Sequence, residues 1–323
     1  MNGICTLAND RVYDQLVGLL NSISAVLGPE TPVCIYPFDD QTERVQAEIQ
    51  RRPNVTLYDD AESIARWDQF MVQMAPERLN QTLRLYGAHR RFCAFDGPFE
   101  KFIYMDADTL AMDSMARVFH QLEQCDWVVY DFQFRDPTKI YNLAFPKLLQ
   151  VFPQERIDRE IFCSGFYGAK RGLFDQAQRD WLISQIRNGE AEVLYEGAGE
   201  QPVLNYMVMR SGLASCNLAH ILPPDESTGC SATSKHFVDR DHILYDRGHR
   251  LTYIHYIGIK PQIIEQVCAG ENIDFPYRDT FLHYRYLHEP EKRPVFSGTA
   301  RPYDYSPPPN LFRRVMKKLK LAN

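Results

Sequence analysis

The chain has 323 residues, 45% of them hydrophobic and 24% charged, with a net charge of -6. That is enough apolar material for one large core or two modest ones, and it excludes a disordered chain. The acidic balance gives no electrostatic reason to expect nucleic acid as a partner.

Strand and helix signals alternate over the first 110 residues, as in an α/β sheet. Residues 3–8 (GICTLA) read as a strand and Asn9-Asp10 as a turn and cap. Residues 12–26 then read as a helix with apolar positions at 12, 16, 19, 20 and 23. Residues 31–38 predict a strand, 43–51 a helix and 54–58 a strand; 61–95 are mainly helical up to the turn Asp96-Gly97-Pro98. The run 102–105 is then about the fourth strand. Further on, 127–130 read as a strand, 139–160 as helical or irregular, and 161–169 (IFCSGFYGA) as a strand interrupted by small residues. Helices are expected at 172–187 and 202–209, and a late strand at 251–257.

Residues 288–310 are proline-rich and read as a surface tail or linker. In the last stretch, apolar residues at 311, 312, 315, 316 and 319 share a helical face, and Arg313, Arg314, Lys317, Lys318 and Lys320 supply positive charge. Such a helix suits an anionic membrane surface, reached through residues 311–321. The start MNGICTLAND has no basic segment leading into an apolar one, and no apolar run reaches 18 residues. The expectation is a chain made and kept in the cytoplasm, peripheral to the inner face of a membrane. Eight cysteines without a CxxC pair read as small buried hydrophobes in a reducing compartment.

The stretch KFIYMDADTL (101–110) carries the strongest chemical signal. A short apolar strand ends in Asp106 and Asp108, which in an extended segment project to the same side. Two carboxylates held together repel unless a cation lies between them, and a divalent ion bound through oxygen ligands is the usual one. Open α/β sheets bind ligands at the carboxyl ends of their strands, where these acids stand. The dehalogenase-type phosphatase motif DxDx(T/V) is not met, because Thr109 arrives one position early and Leu110 follows it.

Four marks occur in order: DAD at 106–108, FCSGF at 162–166, GEQPVLN at 199–205 and HYIGIKP at 255–261. Together they resemble the retaining glycosyltransferases of family 8, the group that includes glycogenin and the bacterial lipooligosaccharide galactosyltransferases. The resemblance spans residues 2–261. It implies a GT-A fold, a Rossmann-like mixed β-sheet flanked by helices, over residues 1–262. An extension over 263–310 and the basic helix at 311–323 would follow. It further implies a hexose transferred from a nucleotide-diphosphate sugar, most simply a UDP-sugar, to a glycan or lipid-linked acceptor. Asp106, Asp108 and His255 match the family's ligands to Mn2+ or Mg2+. Glu200 and Gln201 match positions facing the anomeric carbon, where they act electrostatically; a double displacement would need a carboxylate such as Glu200 as nucleophile.

For the donor, the resemblance implies Thr6, Ala8, Asn9 and Tyr13 at the nucleoside, with the tyrosine able to stack on the base. Arg90 or Arg91 would touch the donor, the other being a surface charge. Ser164 and Gly165 would floor the sugar site, and Gly258 and Lys260 would meet the diphosphate. His255-x-x-Gly258-x-Lys260-Pro261 is one residue shorter than the family's HxxGxxKPW and lacks its tryptophan. This departure favours an alternative, a catalytically degenerate domain that binds a nucleotide sugar or serves as an interaction scaffold.

Overall fold

The computed structural model describes residues 1–74, 87–194 and 199–304. The helix expected at 311–323 lies outside the described residues. Strand β1 (Asn2–Ala8) ends at Asn9, whose side chain accepts from the Arg11 amide and starts a turn into helix α1 (Tyr13–Leu27). Helix α1 stops at Gly28, where φ is 110°, a conformation glycine adopts without steric cost. There follow β2 (Val33–Pro37), α2 (Glu43–Ile49), β3 (Val55–Leu57) and α3 (Ala61–Met74). A 3-10 helix at Ala88–Phe95 leads to β4 (Lys101–Met105) and the short β5 (Thr109–Ala111). Next come β6 (Trp127–Val129), β7 (Phe166–Lys170), the helix Glu200–Arg210 and β8 (Ser215–Asn217).

The seven-stranded sheet runs β3-β2-β1-β4-β7-β6-β8. Strands β1 to β4 pair in parallel and β7 runs antiparallel to both β4 and β6, so the sheet is mixed. Alternation divides its side chains between two cores: Cys5, Leu7, Phe102 and Tyr104 face one layer, and Ile4, Ala8, Ile103 and Met105 the other. Ile4 and Ile103 are fully buried, each contributing about 1.5–3 kcal/mol of transfer free energy. This is the GT-A architecture, a mixed sheet flanked by helices. No helix among the described residues is long and apolar enough to cross a membrane.

A third core lies beneath β5 and the late strand β12 (Tyr253–His255), which is preceded by the small sheet β9 (Val238–Arg240), β10 (Ile243–Asp246) and β11 (His249–Arg250). It joins Leu110, Met112 and Ile254 to Ile264, Phe281 and Tyr284 from the C-terminal segment. The helix Arg278–Arg285 packs on α1, where Asn21 Nδ2 donates to the Tyr284 carbonyl at 2.7 Å and Arg285 pairs with Asp14 at 2.7 Å.

Several expected boundaries move for local reasons. The strand expected from 161 begins at Phe166, because Cys163-Ser164-Gly165 turn toward the strand tips and Asn205 takes the Phe162 amide and carbonyl. The helix expected from 172 begins at Gln176, capped by Asp175. The sheet β9–β11 was not expected; its strands are short and charged, with no apolar alternation to reveal them.

Candidate functional site

The site is built on the tip of β4. Tyr104 stacks on Tyr167, and Tyr167 on Trp127, with ring centroids 5.0 and 4.4 Å apart. This column fixes Tyr104, whose hydroxyl donates to Asp106 Oδ1 at 2.9 Å. The Asp106 amide donates to the Gly165 carbonyl, and its own carbonyl accepts from the Thr109 amide and hydroxyl, so the acid stands in a closed turn.

His255 reaches the acids through strand pairing. In the antiparallel ladder of β12 and β5, His255 lies opposite Thr109, and the Tyr256 amide donates to the Asp108 carbonyl at 2.9 Å. On its other side the His255 amide donates to the Cys230 carbonyl at 2.7 Å. Phe166 stacks on Tyr253 at 4.0 Å, which ties β7 to β12. The outcome is a His255 Nε2 to Asp108 Oδ1 distance of 3.2 Å. Ligand atoms of Asp106, Asp108 and His255 all lie within 4.8 Å of one another.

Gly165 makes this convergence possible. A Cβ there would overlap the His255 ring and stand 3.0 Å from Asp106 Oδ2. Gly165→Ala is therefore expected to destabilise the fold by about 1–3 kcal/mol through overpacking. It should also weaken divalent-ion binding by Asp106, Asp108 and His255 sharply; chemical denaturation and metal titration read the two effects.

Arg91 is the hub behind the acids. It is 5% exposed; Nη1 donates to the Ser164 carbonyl at 2.9 Å and to its hydroxyl at 3.0 Å, and Nε donates to the Ala88 carbonyl at 3.0 Å. Nη2 stands 3.2 Å from Asp106 and 3.4 Å from Glu200. Gln201 Oε1 accepts from the Ser164 amide at 3.0 Å. One guanidinium thus connects Asp106, Ser164 and the start of the helix bearing Glu200 and Gln201.

The electrostatics leave room for a cation. Burial pushes the Asp106 carboxyl above its ordinary range, and Asp108 adds to that against the pull of Arg91. Burial acts likewise on Asp108, but neighbouring His255 overcomes it and holds that carboxyl below its ordinary range. In return, and despite the burial that opposes its charge, His255 rises well above the ordinary imidazole range. A proton on His255 therefore does part of the work a bound cation would do. Two carboxylates and an imidazole fit a divalent ion that accepts both oxygen and nitrogen ligands.

A cavity of about 350 Å³ opens beside Asp106 and Asp108. Ala8, Asn9 and Arg91 line it, as do Gln15, Phe38 and Pro261. Thr6 is fully buried behind it, and its hydroxyl has no partner among the described residues. Tyr13, Arg90 and Lys260 are not among the residues lining this cavity. The Tyr13 hydroxyl donates to Glu48 at 3.0 Å and the Arg44 guanidinium lies 4.0 Å over its ring. Arg90 is held in a fork by Asp68 at 3.1 and 3.0 Å. Lys260 is exposed and stands at the N-cap of the helix Pro261–Cys268, beyond Gly258 with its φ of +86°.

The sequence reading passed over Asp131, a carboxylate two residues beyond the end of β6. Burial raises its carboxyl against the amides of Gln133 and Phe134, which donate to it at 2.6 and 3.2 Å. Reading every strand tip for acids would have found it.

No protein-family model matches the chain, and no curated protein does. Among solved structures, the bifunctional glycosyltransferase WbbM superposes with a TM-score of 0.50 at 13% identity, over 90% of this chain and 51% of that one. The chain thus spans about half the length of that relative. Mouse xyloside xylosyltransferase 1 gives a TM-score of 0.49 at 11% identity, over 68% of this chain and 85% of its own. The galactosyltransferase LgtC gives 0.45 at 16%, over 80% and 87%. At such identities the likeness to WbbM speaks for the fold alone.

Proposed function

We propose that this chain is a metal-dependent retaining glycosyltransferase of family 8, moving a hexose from a UDP-sugar to a glycan or lipid-linked acceptor. The observation that carries the reading is the convergence of Asp106, Asp108 and His255, within 4.8 Å of one another, at the mouth of a cavity at the strand tips. The fold shared with a bifunctional glycosyltransferase supports it. These three residues would hold the ion, and the imidazole among them favours manganese over magnesium. When bound, the ion supplies Lewis acidity to the departing nucleoside diphosphate.

The remaining roles belong to the chain's own groups. Arg91 holds the Asp106 carboxylate and the Glu200 side chain in fixed positions. Gln201 commits Oε1 to the Ser164 amide, which leaves its Nε2 to donate to a ligand. Glu200 and Gln201 act by preorganised electrostatics on charge developing at the sugar, rather than as covalent nucleophiles. The basic stretch 311–321 supports approach to an anionic, cytoplasm-facing membrane carrying a lipid-linked acceptor.

A hydrolysis screen of UDP-, GDP- and ADP-hexoses with Mn2+ tests the proposal. Turnover of a UDP-hexose that stops on chelation is the expected result. The shortened segment at 255–261, without the family's tryptophan, favours a second reading, a nucleotide-sugar-binding scaffold. Nucleotide binding without turnover of any donor, alone or with glycan acceptors, would select that reading and reject the first.

A further inference from the structure

Gln15 is a buried polar group without a use in the fold. It is 3% exposed, lines the cavity beside Asp106 and Asp108, and makes no hydrogen bond among the described residues. Its polar atoms are not among the water-excluded ones that lack a partner, so the amide meets the cavity itself and is free to bond a ligand there. Its chemistry narrows which part of a ligand. A carboxamide offers a donor and an acceptor together, whereas a phosphate would satisfy only the donor and would face Oε1 with negative charge.

Position agrees with chemistry. Gln15 lies in the first turn of α1, three residues after Val12, and so shares its side of the helix with that cavity-lining residue. The cavity is charged at Arg11, Arg91, Asp106 and Asp108 and neutral at Leu7, Ala8, Val12 and Phe38. Gln15 adds an uncharged polar group to that lining. We propose that the Gln15 carboxamide hydrogen-bonds the nucleoside part of a nucleoside diphosphate, through a base edge or the ribose hydroxyls. The inference rests on the nucleotide-sugar reading above.

The test is calorimetric titration of the full chain and its Gln15→Leu and Gln15→Met variants with UDP, UMP and inorganic pyrophosphate, in Mn2+, with GDP and ADP as alternatives. Both variants should bind UDP and UMP about tenfold more weakly, a loss of one buried hydrogen bond, and pyrophosphate with unchanged affinity. They should melt close to the wild-type temperature, since the substitution removes no hydrogen bond of the fold. Unchanged nucleotide affinity in a folded variant overturns the assignment, as does a loss confined to pyrophosphate. A wild-type chain that binds none of these nucleotides overturns the nucleotide-sugar reading as well, which separates the two failures.

Discussion

Asp108→Asn is expected to lower the proposed metal-dependent donor turnover by about 1000-fold while the protein stays folded. The magnitude follows from the several kcal/mol that a bound ion contributes at a departing diphosphate, at about 1.4 kcal/mol per tenfold in rate. The fold survives because the asparagine oxygen still accepts from His255, and because the Asp108 backbone carbonyl, not its side chain, holds β12 through the Tyr256 amide. Hydrolysis rates with saturating Mn2+, beside a thermal melt, check both halves. A variant retaining more than a tenth of wild-type turnover would contradict the role.

Arg91→Met is expected to damage stability and activity together. Removing the guanidinium leaves Asp106 and Glu200 without their shared counter-charge, and Ser164 and Ala88 without a donor. Breaking a buried charge network from one side costs about 3–5 kcal/mol, to be read from urea unfolding at neutral pH. Arg91→Lys should restore little, since a single ammonium does not span four partners that a planar fork reaches. Near-wild-type stability in Arg91→Lys would show that the fork geometry is not required.

The sheet was largely legible because its strands are apolar runs punctuated by turn residues, and the acids at 106 and 108 stood out because they interrupt such a run. His255 is different. No local pattern brings residue 255 beside residue 108; the ladder of β12 on a three-residue β5 does so, and only the family resemblance pointed there. The choice between Arg90 and Arg91 was left open by the sequence. In the 3-10 helix Ala88–Phe95 successive side chains diverge by about a third of a turn, so one arginine enters the site as the other meets Asp68. The surroundings of Tyr13 were not legible for a non-local reason: Glu48 and Arg44 arrive from α2. Gln15 carried no signal, since a glutamine in an amphipathic helix reads as solvent-facing until its burial is known.

The central claim is that Asp106, Asp108 and His255 share one divalent ion. Titration of the wild-type chain with Mn2+ in the presence of UDP, followed by electron paramagnetic resonance, tests it most directly. The account predicts a single tightly held ion whose signal carries coupling to an imidazole nitrogen, with that coupling absent in His255→Ala and the ion itself lost in Asp106→Asn/Asp108→Asn. Mn2+ that stays free in the wild type, or binds the same way after those substitutions, would contradict it.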